Sequence, residues 1–115
     1  MTERPALSRH DALALARAAQ LIEQAQQAPS DDPGAVVAAL DHTVAVWKWL
    51  GRAVAQASGR VPAAVEANLV KLGAAVISAA AGSAAAPSAE TCARLIAINR
   101  QVCAGLLAGQ AGPLA

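Results

Sequence analysis

An all-α fold, a single small bundle of about four antiparallel amphipathic helices, follows from three observations on this 115-residue chain. Alanine fills 33 positions, and it is the residue with the highest intrinsic helix propensity. There is no Phe, no Tyr and only two Trp, whereas strands draw on aromatic and β-branched side chains. Proline and glycine cut the chain into four segments, and in each the apolar residues recur at helical spacing. The length allows one domain, so residues 1–115 are read as a single unit, with 1–8 and 109–115 as frayed termini. With 56% apolar and 15% charged residues, the composition excludes a disordered chain.

The first helix is expected from Ser8 to Ala28. Ser8 with Asp11 is a capping-box variant, and Pro29 stops the segment. Ala14, Leu15, Ala18, Leu21, Ile22 and Ala25 share a face opposite Arg17, Gln20, Gln24 and Gln27, the weakest apolar stripe of the four. The second helix opens with Asp32 as N-cap and Pro33 as first helical residue, and runs to Ala57, before Ser58-Gly59. Val36, Leu40, Thr43, Trp47, Leu50, Gly51 and Val54 form its stripe, with Trp47 near the centre. Trp49 projects from the polar side, near Asp41, His42 and Arg52.

The third helix begins at Val61-Pro62 and ends at Ala81, before Gly82-Ser83. Val65, Leu69, Leu72, Val76 and Ala80 make its stripe, with Lys71 and Ser78 outside. Leu72 to Ala89 is uncharged for 18 residues, but Gly82-Ser83 and Pro87 interrupt it, so it reads as a helix end and a loop rather than a membrane span. The fourth helix starts at Ser88, an N-cap with Thr91 three residues on, and runs to Ala108. Cys92, Leu95, Ile96, Asn99, Val102, Cys103, Leu106 and Leu107 share its main face, with Asn99 in the middle. Ala93, Ala97, Ala104 and Ala108 line a second, smooth strip. An alanine methyl buries little area, so such a core is thin, and docking against a partner would add burial.

Charge and motif content narrow the function. Nine Lys/Arg balance eight Asp/Glu without a one-signed patch, which argues against a nucleic-acid surface. The N-terminus carries five ionisable side chains and no apolar run, unlike a secretory signal. Cys92 and Cys103, eleven residues apart on one helix, would lie about 16 Å apart, too far for a disulfide. Two free thiols fit a reducing cytoplasm. Only His10 and His42 are present, with no metal-ligand spacing, no glycine-rich phosphate loop and no base beside a Ser or Thr hydroxyl. We therefore expect no catalytic residue, cofactor or metal.

Protein binding remains. Trp49 is either docked on helix one or an anchor for a partner, since Trp is enriched at interface hot spots. Asn99 on an apolar face is either a satisfied core amide or a group that bonds a partner helix. Gly51, Gly73 and Gly105 inside helices imply close backbone approach, within the bundle or at a docking groove.

Three segments carry a family resemblance. Ala39-Leu40-Asp41-His42-Thr43-Val44-Ala45-Val46-Trp47-Lys48-Trp49-Leu50 is similar to the Ala-Leu…Asn…Leu-Trp segment of the flagellar biosynthesis regulator FlaF family, with Thr43 where the family usually has Asn. Val61-Pro62-Ala63-Ala64-Val65 with Leu69 and Leu72 is similar to its Leu-Pro…Leu…Leu segment. Leu95-Ile96-Ala97-Ile98-Asn99-Arg100, followed by Gly105-Leu106, resembles its C-terminal Leu-Ile-x-Ile-Asn-Arg…Gly-Leu signature. The resemblance spans roughly Leu40 to Leu107; the first helix lacks the family's N-terminal tyrosine. It implies a cytoplasmic regulator that binds flagellin like a chaperone, works with the translational regulator FlbT, and promotes flagellin synthesis, secretion and filament assembly. Leu40, Trp47, Leu50, Pro62, Leu69, Leu72, Leu95, Ile96 and Gly105 are carried over as the structural motif. Trp49, Asn99, Arg100, Val102 and Leu106 are expected to face the partner. An RNA-binding regulator of the flagellin transcript, or a helical adaptor for another flagellar regulator, are the alternatives.

Overall fold

The computed structural model describes residues 9–27, 33–56, 62–82 and 88–110. It contains four helices, α1 (Arg9–Gln26), α2 (Pro33–Gln56), α3 (Ala63–Gly82) and α4 (Ala89–Gln110), and no strand among the described residues. The all-α bundle expected from composition is thus the observed architecture. Pro33 does open α2. Ser88 caps α4: the Thr91 backbone N–H donates to Ser88 Oγ at 3.0 Å, and Ser88 Oγ donates to Thr91 Oγ1 at 2.9 Å. Pro62 lies just before α3, and its carbonyl accepts the Glu66 N–H at 2.9 Å. The caps assigned to Ser8 and Asp32 fall outside the described residues.

The helix ends lie within two residues of those expected, and two of them bear on the reading. α4 continues through Gly109 to Gln110; one glycine costs a helix only about 1 kcal/mol and does not end it. α3 stops at Gly82, so the uncharged run from Leu72 to Ala89 is not one helix. A different stretch, Ala63–Ala81, is long and apolar enough to cross a membrane by length and composition alone, although it carries Glu66 and Lys71 and packs on α2.

The helices form a ring in chain order. α1 packs most extensively against α4 and next on α2, α2 packs on α3, and α3 meets α4 only sparsely. Among the described residues α2 and α4 make no close backbone approach, and neither do α1 and α3, so these pairs are diagonal. One side of the ring, between α3 and α4, is loosely closed.

α1 is the largest departure from the sequence reading. Its stripe looked weakest, yet Ala12, Leu15, Ala18, Ala19 and Ile22 are all fully buried. The reason is geometric. α1 is flanked by two helices, so its buried arc is wider than one stripe and takes in Ala12 and Ala19, while Ala14, Leu21 and Ala25 are only partly covered. Alanine permits close approach on both sides. In α2 the expected stripe is buried from Leu40 through Trp47 and Leu50 to Val54. In α3 Leu69, Val76 and Ala80 are buried, but Val65 is exposed. Cys92 and Cys103 are free and buried, and burial pushes the Cys92 thiol above its ordinary pKa.

Candidate functional site

The centre of the bundle is polar. Trp47 Nε1–H on α2 donates to Asn99 Oδ1 on α4 at 2.7 Å. Asn99 Nδ2 in turn donates to Thr43 Oγ1, a longer contact of 3.5 Å. Asn99 and Thr43 are 0% exposed and Trp47 is 2% exposed. Thr43 and Trp47 lie four residues apart on α2, hence on one face, and both reach the same amide on the diagonal helix. Indole N–H can only donate, so the amide must turn its oxygen to Trp47 and its NH₂ to Thr43. Among the described residues, no buried side-chain N or O lacks a partner.

Gly73 on α3 completes this centre. A Cβ added there would stand 3.2 Å from Trp47 Cε3, so the absent side chain lets α3 lie directly on the indole. Of the three interior glycines, this one has the close approach expected of all three. Gly51 and Gly105 are exposed, and a Cβ at either would meet nothing within 4 Å.

These placements correct the expectation for Asn99. Its side chain is enclosed and both amide ends are occupied, so it is a core amide and offers nothing to a partner's surface. Trp49 is half-buried, its ring set edge-on to His10 of α1 with centroids 6.0 Å apart and planes at 86°. It docks helix one, as the simpler of its two readings had it. Arg100 forms an ion pair with Glu23 of α1, both side chains being substantially exposed. Exposed pairs contribute about 0–1 kcal/mol. Arg100→Ala is therefore expected to move the urea midpoint only within that range.

Val102 and Leu106 have a different setting. They line an open apolar groove of about 500 Å³ between α3 and α4. Val65, Leu69 and Leu72 form the opposite wall, with Asn68 and Gln101 at polar positions and Gly105 giving a flat floor. The groove lies where the ring is loosely closed. The five residues expected at a contact thus fall in four places: Asn99 in the core, Trp49 against α1, Arg100 beside Glu23, and Val102 with Leu106 in the groove. Sequence reasoning missed Asn68, Gln101 and Ala64 as lining residues. The exposure of Val65, at a position where the helical period places core, is visible only in the fold.

A family model described as flagellar protein FlaF matches residues 3–106. The chain belongs to the FlaF family. The match takes in the first helix, which lay outside the stretch from Leu40 to Leu107 that carried the resemblance, and so accords with the central place of α1 in this FlaF fold. No curated protein and no solved structure shows significant similarity to the chain. Within the FlaF signature, Trp47 and Asn99 come from its first and last segments and meet in one hydrogen bond. Leu69 and Leu72 from the middle segment join Gly105 and Leu106 from the last in the groove. The segments that identify the family therefore build two things here, a central polar bridge and an open apolar cleft.

Proposed function

We propose that this flagellar protein binds flagellin in a chaperone-like way and promotes flagellin synthesis, secretion and filament assembly from the cytoplasm, in functional partnership with FlbT. The observation that supports it most is the α3–α4 groove. It is apolar, open along one side, and bounded by the two helices of the ring that touch least. An amphipathic helix binds such a cleft through anchors at successive turns, and flagellin's terminal helices are amphipathic and must be kept from polymerising before export. Val102 and Leu106 on α4 and Leu69 and Leu72 on α3 supply the apolar walls. Asn68 and Gln101 supply amides at the rim. The protein acts by occupation, without a cofactor or a catalytic step.

The test is binding of purified flagellin, followed by fluorescence anisotropy of a labelled terminal segment. Leu106 is only partly buried, so Leu106→Asp is expected to weaken binding about tenfold or more, by placing a charge in an apolar cleft, while the melting temperature changes little. Affinity should respond weakly to salt, unlike a nucleic-acid complex. No flagellin binding at tens of micromolar overturns the proposal.

A further inference from the structure

The groove does not use the whole of α3. On the side of the helix away from the cleft, Ala63, Ala67, Val70, Ala74, Ile77 and Ala81 recur with alternating spacings of three and four, the spacing of a coiled-coil seam. Val70 is 60% exposed, the most exposed large apolar side chain among the described residues. The alanines of this seam are exposed and only Ile77 is half-covered. At 100° per residue, Glu66 stands roughly 70° to one side of the seam and Lys71 roughly 70° to the other. Among the described residues neither takes part in an ion pair.

That arrangement selects an occupant. When two identical helices pair in parallel about a two-fold axis, the left flank of one faces the right flank of the other, and residue i meets residue i+5 of its mate. Glu66 and Lys71 are five apart and on opposite flanks, so each Glu66 meets the other copy's Lys71, twice by symmetry, with Val70 against Val70 between the two bridges. Antiparallel pairing brings like flanks together, so the flank that carries Glu66 faces its own kind and not the flank that carries Lys71. We infer that the outer face of α3 pairs with α3 of a second copy of this chain, in parallel, leaving the α3–α4 groove of each copy open. Alanine at most seam positions allows close backbone approach. Half-buried Glu66 and exposed Lys71 fix orientation and add little affinity. One helix pair is small beside the ~1,600 Å² of a standard interface, so the dimer is reversible and concentration-dependent.

Sedimentation equilibrium of the full chain, from ten to several hundred micromolar, reads this directly. A monomer–dimer equilibrium is expected. Val70→Asp should raise the dimer dissociation constant about tenfold or more, by burying unpaired charge. Glu66→Lys and Lys71→Glu should each weaken the dimer, and the double exchange should restore it. Orientation is read by mild oxidation of Ala67→Cys and Ala74→Cys chains. In a parallel pair each variant cross-links to itself, whereas an antiparallel pair centred between Val70 and Lys71 joins 67 to 74 in a mixture and neither variant alone. A chain that stays monomeric throughout, or a dimer indifferent to Val70→Asp, overturns the inference. So does a monomer that floats with phosphatidylcholine–phosphatidylglycerol vesicles until Val70 is replaced, which would assign the face to lipid. Loss of flagellin binding in Val70→Asp with unchanged oligomeric state would assign it to the export partner instead. Because Leu106 and Val70 lie on separate faces, failure of the dimer leaves the groove proposal standing, and the reverse holds.

Discussion

Trp47→Ala is expected to lower the free energy of unfolding by about 3–5 kcal/mol, the range for truncating a large buried aromatic. Two features of the site place it at the upper end. The indole bridges the diagonal helices α2 and α4, so its loss opens space at the centre of the ring, where α3 rests on it through Gly73. It also removes the one donor that Asn99 Oδ1 has among the described residues, leaving a buried acceptor unsatisfied at a cost of about 1–3 kcal/mol. Small domains hold about 5–15 kcal/mol in total, so the variant would be close to unfolding. Trp47→Phe separates the two contributions, since it keeps most of the ring and loses the N–H. Urea denaturation of the two variants measures both. If Trp47→Ala cost less than about 1 kcal/mol, well below the range for truncating a buried aromatic, the indole would not be holding the ring together.

Much of this centre was legible in the sequence. Trp47 falls on the apolar stripe of its helix by period alone, and Asn99 breaks an otherwise apolar stripe on another, which marked it as a group needing a partner. Periodicity gives a face for each helix but no relation between helices, so it could not say that the two faces oppose each other across a diagonal. Nor could it choose, for Asn99, between a core partner and a foreign one. The central role of α1 was hidden for a related reason. A helix covered on two sides spreads its small apolar residues over a wide arc, and an alanine there adds little to any single stripe. Gly73 shows the same limit. Three interior glycines look alike in sequence, and only the position of the indole separates Gly73 from Gly51 and Gly105. The groove was partly foreseen through Val102 and Leu106, but its second wall depends on α3 standing off from α4, a packing result with no local signature.

Asn99→Asp tests the polar centre by charge with almost no change of shape, and its effect depends on pH. A protonated carboxyl can replace the amide atom for atom, with the carbonyl oxygen accepting from Trp47 and the hydroxyl donating to Thr43. An ionised carboxylate cannot donate to Thr43, and it would be buried with at most two neutral donors, the Trp47 N–H and a rotated Thr43 hydroxyl, and no cation; the nearest arginine in sequence, Arg100, is turned to Glu23 on the exposed side. Burial therefore raises the folded-state pKa of the introduced acid above its unfolded value near 4. Between those two values the folded chain holds a proton that the unfolded chain has released, so stability falls as pH rises through that window. Below about pH 4 the variant is expected to be within about 1 kcal/mol of the parent, and by pH 7 it should be less stable by about 3–4 kcal/mol. The measurement is the difference in unfolding free energy between variant and parent at each pH, which cancels the titration the two chains share. A difference that stays flat from pH 4 to pH 7 would mean that water reaches residue 99, and that the bridge between α2 and α4 is not enclosed in solution.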